Sequence, residues 1–189
     1  MTYKWNYPTI TPQQAEASRQ LAQALGISPI LARLLTERGI TTVAAARKFF
    51  RPQLPDLHDP FLMKDMDVAV NRLNKAMGRK ERILIYGDYD VDGTTAVALV
   101  YKFIQQYYSN IDYYIPDRYN EGYGVSMKGV DYAAETGVKL VIVLDCGIKA
   151  VDEVTYAREK GIDFIICDHH VPDDVLPPAV AILNAKRED

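Results

Sequence analysis

Apolar positions along the chain change period near residue 80. Upstream they recur at three- and four-residue intervals, the spacing of amphipathic helices. Residues 12–25 read as one such helix: Thr11 is placed to cap it, Pro12 sits at its first position and Gly26 follows its end. "SPILARLLTERG" repeats the scheme with Ser28, Pro29 and Gly39, and "TTVAAARKFF" predicts a third helix. "RPQLPDLHDP" has three prolines and no period, so it predicts an extended linker and a boundary near residue 60. "MKDMDVAVNRLNKAMG" is again helical, with Met66, Val70, Leu73 and Met77 on one face.

Downstream, short β-branched runs ("RILIYG", "IDYYIP", "KLVIVLD", "IDFIIC", "AVAIL") alternate with helical segments ("TTAVALVYKFIQQYY", "SMKGVDYAAETG", "IKAVDEVTYAREKG"). Alternation of this kind requires crossovers. It predicts an α/β fold, a mainly parallel sheet with helices on both faces, preceded by a small N-terminal helical segment. The strands are apolar without alternation, as when both faces are covered. The predicted organisation is residues 1–60, helical segment and linker, followed by residues 61–189, an α/β domain.

Composition narrows the function classes. The 189 residues are 48% hydrophobic and 25% charged, ordinary globular values. No apolar run approaches a membrane span, and "MTYKWNYPTITPQQ" lacks the layout of a signal peptide. Cys146 and Cys167 show no metal-site spacing and read as small buried thiols in a reducing compartment, so a cytoplasmic location is expected. The net charge of −3 argues against a chain that grips nucleic acid by itself, which would carry a basic excess. A polyanionic substrate would need bound metal, a local patch or another domain to supply positive charge.

The polar residues fall at strand ends. "ILIYG" runs into Asp88, Asp90 and Asp92, "LVIVL" into Asp145, and "DFIIC" into Asp168, His169 and His170. Ligands of open α/β sheets bind at the carboxyl ends of strands, so these clusters can converge on one crevice. Each has a structural reading of its own: Asp92-Gly93 as a turn, Asp145 as a helix cap, the histidines as a loop start. Their conjunction points instead to a site. Aspartates with imidazole suit a divalent ion of intermediate hardness, Mn²⁺ first and Mg²⁺ second, rather than structural zinc. Asp145 is placed to bridge two ions, and such a pair supports phosphoester hydrolysis.

"DYDVDG", "LDCG" and "DHH", in that order, resemble the first three motifs of the DHH phosphoesterase superfamily. "LHDPFLMKDMDVAV" and "IPDRYNEGYGVS" resemble its branch of single-strand-specific DNA exonucleases, which degrade from the 5′ end in repair and recombination. The resemblance runs from about residue 57 to 183. It implies Asp88, Asp90, Asp92, Asp145 and His169 as metal ligands, with Asp88 a ligand or its support, and two ions in the complete enzyme. It implies His170 facing the scissile phosphate, Asp168 orienting the histidines, and Arg118, Glu121 and Gly122 beside the substrate. Arg118 is the candidate phosphate contact; its structural alternative is an ion pair with Glu121. Tyr119 and Tyr123 are candidates for stacking on a base or, alternatively, for rim packing.

The implied partner is single-stranded DNA, with single-strand-binding protein and helicase as further partners of the full-length chain. The superfamily's fourth motif, a further metal-binding Asp, and its DHHA1 domain have no counterpart in these 189 residues. The expectation is therefore an N-terminal portion of a longer enzyme with little activity alone. "LNAKRE" departs from the usual Pro after the Asn. Three alternatives remain: a smaller DHH enzyme acting on oligonucleotides or cyclic dinucleotides, a non-catalytic DHH scaffold, and a haloacid-dehalogenase-like enzyme suggested by "DVDGT". In the last family the nucleophilic Asp directly follows the strand, whereas here "GDY" intervenes before Asp90.

Overall fold

Side-chain caps start the N-terminal helices. In the computed structural model, which describes Lys4 and residues 8–188, Thr11 caps α1 (Pro12–Leu25) reciprocally with Gln14. Ser28 caps α2 (Pro29–Glu37), and Thr42 caps α3 (Val43–Phe50). Gly26 ends α1 in the left-handed region at φ 63°. The three helices close around Leu21, Ala32, Leu35 and Ala46. Residues 1–58 form one compact unit and residues 59–189 a second. The first residues of the N-terminal segment (1–3 and 5–7) and Asp189 lie outside the described residues.

The linker expected to be extended carries two short 3₁₀ turns, Leu54–Asp56 and Pro60–Leu62. The reason is local. Proline fixes φ near the helical value at the start of each turn. The Asp56 and Asp59 carboxylates then accept the amides of Gln53 and Phe61, both at 2.9 Å.

The second unit is a five-stranded, wholly parallel sheet in the order β2-β1-β3-β4-β5. The strands are β1 (Arg82–Gly87), β2 (Ile111–Tyr114), β3 (Val138–Leu144), β4 (Asp163–Cys167) and β5 (Ala181–Leu183). Helices α4 (Met66–Gly78) and α5 (Val91–Gln105) cover one face, packing on Ile83, Ile85, Ile142 and Ile165. Helices α6 (Met127–Glu135) and α7 (Val151–Glu159) cover the other, on Leu84, Val141, Val143 and Ile166. β1 is flanked by β2 and β3, so the winding direction reverses there, and the crevice opens at the carboxyl ends of β1 and β3.

Two element boundaries and one buried face differ from expectation. Helix α5 begins at Val91 rather than Thr94, because the Asp90 carboxylate accepts the Gly93 amide at 2.9 Å and caps the helix early. Helix α7 begins at Val151 rather than Ile148, because Asp145 (φ 62°) and Gly147 (φ 98°) reverse the chain and send Ile148 into the core. On α4 the fully buried positions are Ala69 and Ala76, with Leu73 and Met77 half-buried beside them. Alanines bring the helix close to the sheet, and the larger side chains of the expected stripe flank the contact.

Two residues fix the edges of this arrangement. Asp65 sits at φ 65°, and its Oδ2 accepts the Ile182 amide at 3.2 Å and an Arg187 Nη1–H at 2.7 Å, satisfying an edge-strand donor. Burial opposes its charge, but these hydrogen bonds hold its pKa below the ordinary carboxylate value. Gly93 lies against the Asp88 backbone: a Cβ there would fall 2.5 Å from the Asp88 carbonyl oxygen and 2.7 Å from its nitrogen.

Because the folded pKa of Asp65 is depressed, its contribution is complete above the unfolded value near pH 4 and is lost as pH falls through the folded value. Asp65→Asn should cost about 1 kcal/mol at pH 7, and the gap from wild type should close below about pH 4. Urea melts at both pH values measure this; an equal gap at both would contradict the assignment. Gly93→Ala drives its Cβ into the Asp88 backbone and should destabilise by about 2 kcal/mol. Gly78→Ala, at the end of α4 with nothing within 4 Å of its Cβ, should be neutral or stabilising in the same thermal melts.

Candidate metal centre

The carboxyl end of β1 delivers the first acids. Asp88 follows directly and is buried at 1% exposure. Its Oδ1 accepts the Gly124 amide at 3.3 Å, while its Oδ2 is buried with no hydrogen-bond partner. An orphaned buried carboxylate oxygen costs several kcal/mol if left so. Asp90 caps α5, and Asp92 lies in the helix's first turn, where the helix dipole favours negative charge. Both are exposed.

Asp145 follows β3 in the left-handed region, which aspartate tolerates better than most residues, and its amide donates to the Cys167 carbonyl at 2.9 Å. Its pKa is raised, first by burial and then by the negative charge of Asp90, with Asp92 adding to it. Asp145 Oδ1 lies 3.0 Å from His169 Nε2.

Asp168, after β4, is the structural hub. Its side chain is 1% exposed. It accepts the amides of Ile148 (2.9 Å), His169 (2.7 Å) and His170 (3.0 Å), and pairs with His170 Nδ1 at 2.7 Å. Burial opposes its ionisation, but the His170 and Ile148 amides and the His170 ring together hold its pKa below the ordinary value. An ionised carboxylate only accepts, so the His170 Nδ1–H donates to it and Nε2 faces the Tyr123 hydroxyl.

Among the described residues, Asp145, His169 and His170 bring one ligand atom each within 4.8 Å of one another. Asp90 and Asp92 are close enough for their charge to act on Asp145, and Asp88 brings a bare oxygen. Carboxylate oxygens with imidazole nitrogen fit a divalent cation of intermediate hardness. A cation is also what the orphaned oxygen and the gathered charge lack. An open pocket of ≈ 270 Å³ adjoins the cluster, lined by Tyr123, Cys146, Ile148, Lys149, Asp168 and His170. The Cys146 thiol within it is pushed up, first by burial and then by the surrounding aspartates.

The loop after β2 closes one side. Arg118 does not pair with Glu121; its guanidinium lies 5.3 Å from the Tyr89 ring centroid. Glu121 faces inward, accepting the Tyr114 hydroxyl (2.9 Å), the Ser126 hydroxyl (2.6 Å) and the Asp117 amide (2.8 Å). These three bonds order the loop. Gly122 supplies a positive φ of 85° in the same loop. Tyr119 is 93% exposed. Tyr123 reaches the site: its hydroxyl is 3.4 Å from His170 Nε2, and its pKa is pushed up to about 12 by burial first and then by neighbouring negative charge.

Two contributors were not among the residues the sequence singled out for the site. Asn184, buried just beyond β5, donates from Nδ2 to the His170 carbonyl at 2.9 Å. Gly124 binds Asp88 through its backbone amide. Asn184 was visible only as a polar residue ending an apolar run, while a backbone donor leaves no trace in residue type.

Comparison with known proteins agrees with this geometry. The model of the DHH family, N-terminal domain, matches residues 82–189. The chain is 41% identical over 169 residues to the single-stranded-DNA-specific exonuclease RecJ of Bacillus subtilis (strain 168), covering 89% of this chain and 22% of that protein. It is 36% identical over 164 residues to RecJ of Escherichia coli (strain K12), covering 86% and 28%. Among solved structures it resembles exonuclease RecJ bound to manganese (TM-score 0.62, 31% identity, 68% of this chain and 33% of that one). It also resembles RecJ from Thermus thermophilus in complex with Mn²⁺ (TM-score 0.67, 25% identity, 89% and 23%). The chain thus spans about a quarter of the length of the curated relatives it matches. With the acids after β1, the "DCG" turn after β3 and the "DHH" triplet after β4 meeting at one edge of a parallel sheet, the chain belongs to the DHH family.

Proposed function

We propose that residues 59–189 form the metal-holding part of a phosphodiester hydrolase that removes nucleotides from the 5′ end of single-stranded DNA in repair and recombination. One observation carries this reading: Asp145, His169 and His170 converge within 4.8 Å at the end of the sheet where Asp88 keeps an unpaired buried oxygen. The RecJ relatives and the two manganese-bound RecJ structures support it.

Asp88, Asp90, Asp92, Asp145 and His169 would hold the ion or ions, Mn²⁺ in the first place and Mg²⁺ in the second. Bound there, a divalent ion activates water and offsets charge developing on a phosphoryl oxygen. The protein's own groups do the rest. Asp168 fixes the ring orientation of His170, so that its Nε2 faces the pocket. Arg118, held over Tyr89, offers its fork to a phosphate oxygen pair. Glu121 and Gly122 act on substrate through the loop they shape. The same reading takes the cytoplasm as its location, supported by two free cysteines. Single-strand-binding protein and helicase, as partners of the longer protein, belong to it on the family resemblance.

The direct test is metal binding, which needs no turnover. Mn²⁺ titration followed by electron paramagnetic resonance should show binding by this chain, and Asp145→Ala or His169→Ala should weaken it at least tenfold. In the protein extended to the length of its relatives, the same substitutions should lower kcat on a 5′-labelled oligonucleotide by about a thousandfold or more. Unchanged Mn²⁺ affinity in both variants would remove the assignment. Binding without release of 5′ nucleotides would leave a metal site and reject the exonuclease.

A further inference from the structure

The charge is distributed unevenly between the two units. Residues 1–58 hold seven Lys and Arg against three Asp and Glu, a net of +4. Residues 59–189 hold fifteen against twenty-two, a net of −7. The chain's mild overall acidity conceals a basic helical unit and an acidic α/β one. Asymmetry of this kind is an electrostatic footprint for a polyanion.

Within the helical unit the positive charge is unequally engaged. Arg19 pairs with Glu16, and Arg33 pairs with Glu37. Arg38 donates to the Leu34 carbonyl. Arg47 and Arg51, one helical turn apart at the end of α3, are exposed, and neither guanidinium has a partner among the described residues. Lys48 stands between them in an exposed pair with Asp56 at 3.2 Å, the single carboxylate of this patch. Exposed pairs of this kind exchange readily, since they contribute little.

These cations rim a groove of ≈ 850 Å³ whose floor is apolar, formed by Leu25, Ile27, Leu31 and Phe50. Phe50 is 50% exposed and Phe49 is 57% exposed, their rings edge to face at 5.5 Å. Two large aromatic rings left in water at the end of one short helix are costly unless something covers them. Flat rings beside unpaired guanidiniums are the chemistry of single-strand binding, in which bases stack on aromatics and cations follow the phosphates. A duplex would hide its base faces from these rings. An acidic peptide would use the cations and has no flat faces to match the phenylalanines.

We propose that the α1–α3 unit carries an accessory site for single-stranded nucleic acid, made by Arg47, Arg51 and Phe50, with Lys48 and Phe49 at its rim. None of these residues belongs to the metal centre, and the site does not depend on the phosphodiesterase reading.

Binding of fluorescent oligo(dT) to the whole chain, followed by anisotropy in EDTA, removes any metal contribution. The double variant Arg47→Ala/Arg51→Ala should weaken binding about tenfold and reduce the slope of log K against log salt by about 1.4, since each of the two phosphate contacts on a single strand contributes roughly 0.7. Phe50→Ala should weaken binding severalfold, and Phe50→Trp should preserve or tighten it. A duplex of equal length and a polyglutamate peptide should compete poorly. These three residues are exposed, and circular dichroism should confirm unchanged helix content in every variant. An affinity within twofold of wild type in the double variant would overturn the proposal. So would polyglutamate or duplex competing as well as oligo(dT), which would make the groove an acidic-peptide site or a general polyanion patch.

Discussion

Asp168 accepts hydrogen bonds from three places at once: its own strand end through the His169 and His170 amides, the β3–α7 turn through the Ile148 amide, and the His170 ring. The rest of the site depends on this one buried carboxylate. Without it the segments carrying Asp145 and the histidines would lose their side-chain anchor and keep the bond from the Asp145 amide to the Cys167 carbonyl, and His170 would lose the acceptor that orients its ring. Removing one partner of so dense a network leaves several buried donors unsatisfied, a larger cost than any single bond within it. Asn184 completes the clamp from β5 by holding the His170 carbonyl. Both histidines are therefore placed by backbone as well as side chain.

Against this rigid edge the acids of β1 and β3 are gathered under strain of a different kind. Burial and the charges of Asp90 and Asp92 resist the ionisation of Asp145. Asp88 buries an oxygen that nothing in the protein satisfies. The fold tolerates this through backbone geometry: an Asp in the left-handed region after β3, and a helix that starts so close to Asp88 that only glycine fits at position 93. Stability is thus given up where charge is needed, as expected of a site built to receive a cation.

The sequence period made the parallel sheet legible, because runs such as "KLVIVLD" and "IDFIIC" have no reason to be apolar on both sides unless helices cover both faces. It also put the three polar clusters at strand ends, where topology does the converging. What it missed came from interactions that residue type does not encode. Asp90 as a cap moved the start of α5 back by three residues, and the paired left-handed residues at 145 and 147 delayed α7. The resemblance put Glu121 beside the substrate, but residue type could not show that its oxygens accept from Tyr114, Ser126 and the Asp117 amide and so shape the loop. Tyr123 read first as rim packing, and only the placement of its loop brings its hydroxyl to His170.

The charge balance shows why a net value for the whole chain misleads. A metal centre rich in aspartate must be acidic before its ions arrive, and it repels a nucleic acid until then. A protein of this kind gains by carrying its positive charge on separate elements, where it attracts a strand without neutralising the carboxylates that the ions need. The division here, +4 on the helical unit and −7 on the α/β unit, follows that logic. Had Arg47 and Arg51 stood among the aspartates, each would have paired with a carboxylate, depressed its pKa and competed with the cation for it. The two charges lie on separate units of the chain, the guanidiniums on the helical unit and the aspartates on the α/β unit.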